Sequence, residues 1–288
     1  MYIAEGWQDY ELIDMGGGEK LERWGTVKCI RPDPQIIWPR TGDAALWRDC
    51  DLKYHRGKSG GGYWEPVRPS VPGQWDIQFD ALRFKIKPTD FKHMGLFPEQ
   101  AINWRWAGDI IRAAGRPLKV LNLFAYTGGA TVACLHAGAE VTHIDAAKGM
   151  NLWAKENIAR SGLSDKKHRI LTDDVMKFVR REARRESFYD AIIMDPPVFG
   201  RGPSGELWKL EDRLYELVNA CTDILTDRPA FMLINAYTAG FSPTVAENIL
   251  KTAFRRRGGS VTAGEIGLRA SVGGVVLPCG LFGRWTAD

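Results

Sequence analysis

The segment 118–129, LKVLNLFAYTGG, limits what this chain can fold into more than any other. It opens with an apolar run (Leu118, Val120, Leu121), as a strand buried on both faces requires. It narrows to a small turn at Thr127, Gly128 and Gly129 and continues in helical rhythm through Ala130, Val132, Ala133 and Leu135. Strand, tight glycine turn and helix together open a nucleotide-binding βαβ unit, in which glycine lets the backbone approach a ligand closely. A second strand, 139–145 (AEVTHID), ends in Asp145, placed to accept hydrogen bonds from ribose hydroxyls.

The turn also excludes a ligand class. No G-x-G-x-x-G joins this strand to its helix, and at that place the fingerprint is what seats a pyrophosphate on a helix N-terminus. A NAD-dependent oxidoreductase is therefore disfavoured. Two adjacent glycines preceded by bulky Phe124 and Tyr126 suit a nucleoside ligand without phosphates, of which S-adenosylmethionine is the common one.

Downstream of Phe97 strand-like and helix-like segments alternate. Strands are predicted at 118–124, 140–145, 168–171, 190–195 and 230–235, and helices at 127–137, 148–161, 174–185, 206–225 and 243–256. An earlier helix starts near Pro98 with an apolar stripe of Ile102, Trp106, Ile110 and Ile111. This order implies an open parallel sheet with helices on both faces. Two final strands, 260–268 and 275–284, are separated by only a glycine-containing turn and read as an antiparallel terminal hairpin. The first part of the chain differs, with short strand-like runs at 10–14, 35–38, 75–78 and 82–86 broken by Gly and Pro. We therefore expect a small β-rich domain over residues 1–91 and an α/β domain over 92–288.

Composition bears on partners and compartment. The chain has 288 residues and a net charge of +4, with a pI near 8.7, which permits nucleic acid as a partner without requiring it. Segment 52–70 combines basic residues, three consecutive glycines and three aromatics, and reads either as a loop touching phosphates and bases or as a solvated hairpin tip. Lys177, Arg180, Arg181, Arg184 and Arg185 on one helix, and Arg255 to Arg257, are further candidates for phosphate contact or for solvated faces. Five scattered cysteines without a C-x-x-C pair argue for a reducing compartment and against a zinc site. With no apolar h-region at the start and no apolar run of about eighteen residues, the expectation is a cytoplasmic protein without a membrane or metal partner.

In an open parallel sheet the ligand lies beyond the carboxyl ends of the strands. Acids stand at three successive ends: Asp145, then Asp173 and Asp174, then Asp195. Asp174 reads equally well as the N-cap of the helix that follows it. After Asp195, the prolines Pro196 and Pro197 fix an extended turn that presents a carboxylate and carbonyls to a substrate nitrogen, and Phe199 can stack on a ring.

VLNLFAYTGG, HID, TDDV and FYDAIIMDPPVF, in this order and spacing, resemble the class I S-adenosylmethionine-dependent methyltransferases. More narrowly, they resemble the bacterial large-subunit rRNA base methyltransferases with an LNLFSYTGG turn and a DPPxF loop. The resemblance covers residues 92–235. It implies a Rossmann-like sheet of seven strands with the last antiparallel, S-adenosylmethionine as cofactor, and RNA as substrate. It implies that Asn122, Phe124, Ala125, Tyr126, Thr127, Gly128 and Gly129 hold the methionine part. Asp145 then takes the ribose, Asp173 or Asp174 the adenine side, and Asp195, with Pro196, Pro197 and Phe199, the reacting centre. A Gly-Phe-x-x-Asp-Gln-Arg segment in that family matches 95–100 here, carrying Gln100, with His93 nearby, into the cofactor set, although Ala101 replaces the Arg. The nucleophilic Cys of the cytosine-C5 members is missing: Asn235, Ala236, Tyr237 and Thr238 stand at that strand end. The resemblance therefore points to nitrogen as the acceptor. A small-molecule or protein acceptor, or a catalytically silent RNA module, are the competing readings.

Overall fold

Short alternating segments in the first hundred residues pair with one another, while the longer apolar runs beyond them build a parallel sheet. The computed structural model describes residues 1–57, 61–238 and 240–288. The chain divides into one unit of Ile3–Glu99 with Gly267–Pro278, and another of Met1–Tyr2, Gln100–Ile266 and Cys279–Asp288.

After the two-residue strand β1 (Tyr2–Ile3), the first unit holds β2 (Tyr10–Gly16), β3 (Glu19–Trp24), β4 (Val27–Pro32), α1 (Ala44–Arg48), β5 (Leu52–Arg56) and β6 (Gly62–Pro66). β2 to β6 form a five-stranded sheet in sequence order, antiparallel except for the β4–β5 pair. β7 (Trp75–Phe79) and β8 (Leu82–Ile86) form a separate hairpin. Inward residues Ile13, Leu21 and Ile30 pack with Trp47 and Cys50. Beside them the fully buried Glu22 takes a two-pronged hydrogen bond from Arg31, at 2.6 and 2.8 Å, and a third from Tyr10. Burial raises the Glu22 pKa, but the charges of Arg31 and Lys20 and the hydrogen bonds from Arg31 and Tyr10 together outweigh it and hold the carboxyl at about 2.

Two features of this unit were not expected. Segment 35–38 is not a strand: Ile36 is buried and Ile37 exposed, which imitates strand alternation. Its carbonyls instead accept from the N–H groups of Gly17 and Gly18, so it covers the β2–β3 turn. The helix α1 forms on five residues because Asp43 caps it, accepting the Leu46 N–H at 2.9 Å. Segment 52–70 contains the β5–β6 hairpin, with His55 stacked on Tyr63 and paired with Glu65. Its Lys58, Ser59 and Gly60 lie outside the described residues.

The second unit continues with α2 (Ala101–Ala113), β9 (Lys119–Leu123), α3 (Gly129–His136), β10 (Glu140–Asp145), α4 (Lys148–Arg160), β11 (His168–Thr172) and α5 (Val175–Arg184). There follow β12 (Ala191–Met194), β13 (Phe199–Arg201), β14 (Leu207–Lys209), α6 (Leu210–Thr222), β15 (Phe231–Ala236), α7 (Pro243–Ala253), β16 (Ser260–Arg269) and β17 (Val276–Thr286). The strand order is β1-β16-β17-β15-β12-β9-β10-β11. β15, β12, β9, β10 and β11 run parallel, and β17 lies antiparallel against β15. This is the expected Rossmann-like sheet, with the last strand inserted between β15 and β16 and the short β1 added at the edge.

Leu121, Leu123, Ile192, Met194, Met232 and Ile234 from the strands pack against Phe178, Leu214, Leu217 and Val218 from the helices. Each such side chain contributes about 1.5–3 kcal/mol by leaving water, which fixes the strand register and with it the strand ends. Residues 206–225 depart from the helix expected there: Leu207–Lys209 pair with Phe199–Arg201 as an antiparallel hairpin, and α6 starts only at Leu210. Helix α2 also turns further inward than its apolar stripe implies, burying Asn103, Trp104, Ala107 and Gly108 along with Ile111.

Candidate active site

Because β9, β10, β11 and β12 are parallel and in register, their last residues share one edge. The ladder runs one or two residues past the strand ends: Ala125 N–H donates to Ile144 O at 3.0 Å, Asp173 N–H to Asp145 O at 3.3 Å, and Asp195 N–H to Leu123 O at 3.3 Å. The structure thus brings the 124–129 turn, Asp145, Asp173, Asp174 and Asp195 together. His93 belongs to the other unit, where burial lowers its pKa to about 4 and the Arg31 charge adds to the effect.

The turn is held in a backbone shape that its residues would not choose. Phe124 (φ 53°) and Tyr126 (φ 50°) both occupy the left-handed region, which costs a non-glycine residue on the order of 1 kcal/mol or more. Gly128 follows at φ 84°, and a Cβ there would stand 2.9 Å from the Ala154 Cβ. The strain is offset by Asp145, whose Oδ2 accepts the Tyr126 N–H and whose Oδ1 accepts the Ala147 N–H, each at 2.8 Å. Desolvation raises the Asp145 pKa and these two backbone bonds oppose the rise. Each carboxylate oxygen keeps a second lone pair, so the group can still receive a diol.

Beneath the turn lies a chain of buried polar groups with one possible direction. Asn151 Nδ2 donates to the carbonyls of Asp145 and Leu171 and to Thr172 Oγ1. Its Oδ1 must therefore accept from His143 Nε2 at 3.0 Å. His143 is then the neutral Nε2–H tautomer, its Nδ1 accepts from Thr131 Oγ1 at 2.9 Å, and Thr131 accepts from Asn122 Nδ2 at 3.0 Å. Asn122, placed by sequence in the methionine subsite, sits under the turn and spends its amide on Thr131. Asn157 adds a bond to Thr127 O at 2.8 Å.

The fully buried His143 is kept neutral, burial lowering its pKa from 6.5 to about 4. The unfolded imidazole takes up a proton near pH 6.5 and the folded one only near 4. This contribution is therefore complete above pH 6.5 and is lost as the pH falls from there through 4, by about 3 kcal/mol at a tenfold affinity change per 1.4 kcal/mol. Urea titrations between pH 7 and 4 are expected to show that decline, and His143→Gln to flatten it. An equally steep decline in the variant would remove His143 as its source.

At the end of β12, Pro196 is buried while Pro197, Val198 and Phe199 are exposed, Phe199 at 56%. Two devices brace this loop. The Pro197 carbonyl accepts from Trp208 Nε1 at 2.7 Å, and the Trp208 ring packs on Phe124 with centroids 4.7 Å apart. The β13–β14 hairpin is then tied to α5 by an ion pair between Glu206 and Lys177. Asp174 is the N-cap of α5, its Oδ1 accepting the Lys177 N–H at 2.9 Å. Asp173 receives Arg181 at 2.6 Å on Oδ2 and the Asp174 N–H on Oδ1.

The basic helix face is largely neutralised, since Lys177, Arg180, Arg181 and Arg185 pair with Glu206, Glu216, Asp173 and Glu182. Among the described residues no cluster of three His, Cys, Asp or Glu could hold a metal ion, and no helix is long and apolar enough to cross a membrane. Sequence reasoning missed Thr131, His143, Asn151 and Trp208. The one visible signal was a histidine in the middle of a strand expected to lie inside the parallel sheet.

A glycine turn after the first parallel strand, an acid at the second and a braced Asp-Pro-Pro loop at the fourth stand on one edge of a Rossmann-like sheet, as in a methyltransferase fold. Residues 53–242 match the family described as S-adenosylmethionine-dependent methyltransferase, and the chain belongs to that family. It is similar over its whole length to a crystal structure described as the SAM-dependent methyltransferase from Agrobacterium tumefaciens. The two share 38% identity at a TM-score of 0.97, covering 100% of this chain and 93% of the other. Among curated proteins it is 32% identical over 155 residues to the ribosomal RNA large subunit methyltransferase K/L of Shewanella frigidimarina, covering 53% of this chain and 21% of that protein. The protein of the same name from Syntrophotalea carbinolica is 31% identical over 156 residues, covering 54% of this chain and 21% of its own length. The chain thus spans about a fifth of the length of these curated relatives.

The cofactor is S-adenosylmethionine, and the residues fit it. Asp145 retains acceptors for a ribose diol, and an edge carrying Asp145, Asp173 and Asp195 suits a molecule with a sulfonium and an ammonium.

Proposed function

We propose that this chain methylates a base of ribosomal RNA at a nitrogen atom. The observation that carries this reading is the braced, outward-facing segment Asp195–Pro196–Pro197–Val198–Phe199 beside the cofactor turn. It joins a carboxylate to an exposed aromatic ring at the place where an acceptor would enter. The names of the curated relatives support RNA as the substrate class.

The assignment of parts follows. Phe124 to Gly129 take the methionine part, with Asn122 shaping the turn from below. Asp145 takes the ribose, Asp173 or Asp174 the adenine side, and Gln100 completes the cofactor set. Residues 1–91 would form the second domain and help hold the RNA, and the protein would work in the cytoplasm.

The cofactor supplies an electrophilic methyl group on a sulfonium, so the protein's task is alignment and exclusion of water. Asp195 orients the acceptor nitrogen through a hydrogen bond and takes up the proton that becomes acidic on methylation. Phe199 stacks on the base, and Pro196 and Pro197 keep both groups in place. Covalent attack on a base carbon would need a thiolate. Burial instead pushes the Cys134 thiol up to about 12 and raises Cys221 further.

Nucleoside mass spectrometry of total RNA from a strain lacking this gene, beside its parent, tests the reading. The expected result is the loss of one N-methylated nucleoside from ribosomal RNA. An unchanged profile would overturn the RNA assignment in favour of a small-molecule or protein acceptor.

A further inference from the structure

Arg284 on β17 is a buried cation that meets no acid among the described residues. It is 7% exposed, and among the described residues its partners are Asn103 Oδ1, reached by Nε at 3.2 Å and Nη2 at 2.6 Å, and nearby aromatic rings. Phe282 lies 4.0 Å and Trp106 4.6 Å from the guanidinium carbon. Burial lowers the Arg284 pKa to about 10. Such a charge is costly to keep, and packing alone gives no reason to keep it.

The hydrogen bonds around it have a fixed direction. Arginine only donates, so Asn103 Oδ1 accepts and Asn103 Nδ2 must donate. It does so twice, to Gln100 Oε1 and to Asn235 Oδ1, each at 2.8 Å. That fixes Gln100 Nε2 and Asn235 Nδ2 as donors. Gln100 Nε2 gives one proton to Tyr237 Oη at 2.6 Å, so the phenol's own proton is directed away from Gln100. Asn235 is 3% exposed and its Nδ2 has no hydrogen-bond partner among the described residues. Every amide in this chain is thus oriented, and polarised, by a cation at its far end.

The chain ends on the same edge as the site. Met194 of β12 stands opposite Ile234 of β15, which puts Asn235 level with Asp195. Helix α2 packs on α3, whose first turn is the Gly128 turn. It runs down to β9, so its N-terminal residues Gln100 and Asn103 lie at that edge. The other charged groups gathered there are acids, which suit the sulfonium and ammonium of the cofactor but not its carboxylate.

We propose that Arg284, acting through Asn103 and Gln100, arranges Gln100, Tyr237 and Asn235 as the donor set that receives the α-carboxylate of S-adenosylmethionine. Gln100, Tyr237 and Asn235 touch the ligand, and Arg284 and Asn103 are positioning residues. The assignment rests on the cofactor reading above, and failure of the wild-type protein to bind S-adenosylmethionine would sink that reading instead.

The test compares S-adenosylmethionine with decarboxylated S-adenosylmethionine by calorimetry on the full chain. Wild type is expected to prefer the carboxylated ligand by about tenfold or more, the scale of a hydrogen bond to a charged group. In Arg284→Met that preference should collapse towards one, with affinity for the decarboxylated ligand unchanged. A variant that is merely loosened would weaken both ligands alike, and that result, or an undiminished preference, overturns the proposal. Tyr237→Phe removes one oxygen and leaves the packing intact, so it decides the matter should Arg284→Met not fold. Its preference should fall several-fold, and an unchanged preference overturns the proposal.

Discussion

Asp195→Ala is expected to lower the rate of methyl transfer by about 10²–10⁴-fold, the usual worth of a positioned acid–base group, while leaving the affinity for S-adenosylmethionine within a few-fold of wild type. The separation follows from where the side chain stands. The backbone of Asp195 belongs to the sheet, its N–H donating to Leu123 O. Pro196 is buried and the Pro197 carbonyl is held by Trp208, so the loop keeps its course when the carboxylate is removed. The groups proposed to grip the cofactor, the 124–129 turn and Asp145, hang on other strands, β9 and β10. What the variant loses is the group proposed to orient the acceptor and accept its proton. Transfer of labelled methyl to RNA from the deletion strain measures the rate, and calorimetry measures the affinity. Full activity would remove Asp195 from the mechanism. Equal loss of binding and rate would make it a cofactor ligand instead.

The frame of the site was legible because its signals are local. A run such as Leu118 to Leu123 can only be a buried strand, Gly128 marks a left-handed residue, and an acid closing HID falls at a strand end whichever residue begins the strand. The supporting parts were not legible because they depend on pairings far apart in sequence. Asn122, Thr131, His143 and Asn151 come from four successive elements and form one chain only when α3 and α4 are packed. Trp208 reads as the start of a helix until Phe199–Arg201 is available to pair with its strand. The arginines of α5 look like a phosphate-binding stripe in sequence, and the acids that neutralise them lie up to 36 residues away. Ile36 and Ile37 imitate a strand because one covers a turn and the other meets water, an alternation that periodicity cannot distinguish from a pleat.

Asp145→Asn is expected to weaken S-adenosylmethionine binding by about 100-fold, although it changes a single atom. A carboxylate is acceptor-only, and both oxygens are in use, one for the Tyr126 N–H and one for the Ala147 N–H. An amide has one acceptor oxygen and one donor nitrogen, so either orientation sets an NH₂ against a backbone N–H. If the Tyr126 bond is lost, the left-handed Phe124 and Tyr126 lose that support, and the turn relaxes away from the shape that fits the ligand. If the Ala147 bond is lost, the entry to α4 shifts. In either case one of the two acceptors proposed for the ribose diol is gone as well, and each hydrogen bond to a charged group is worth about 1.5–3 kcal/mol. The wild-type carboxyl also gives the binding a pH dependence of known sign. Burial raises its pKa above the ordinary 3.8, and the protonated form has lost an acceptor, so affinity should fall on acidification from a higher pH than an exposed aspartate would show. Calorimetry at neutral and acidic pH measures both effects. Asp145→Asn should bind weakly throughout and lose the acid limb that starts above 3.8, whereas an unaltered affinity at neutral pH would mean that the ribose is held elsewhere.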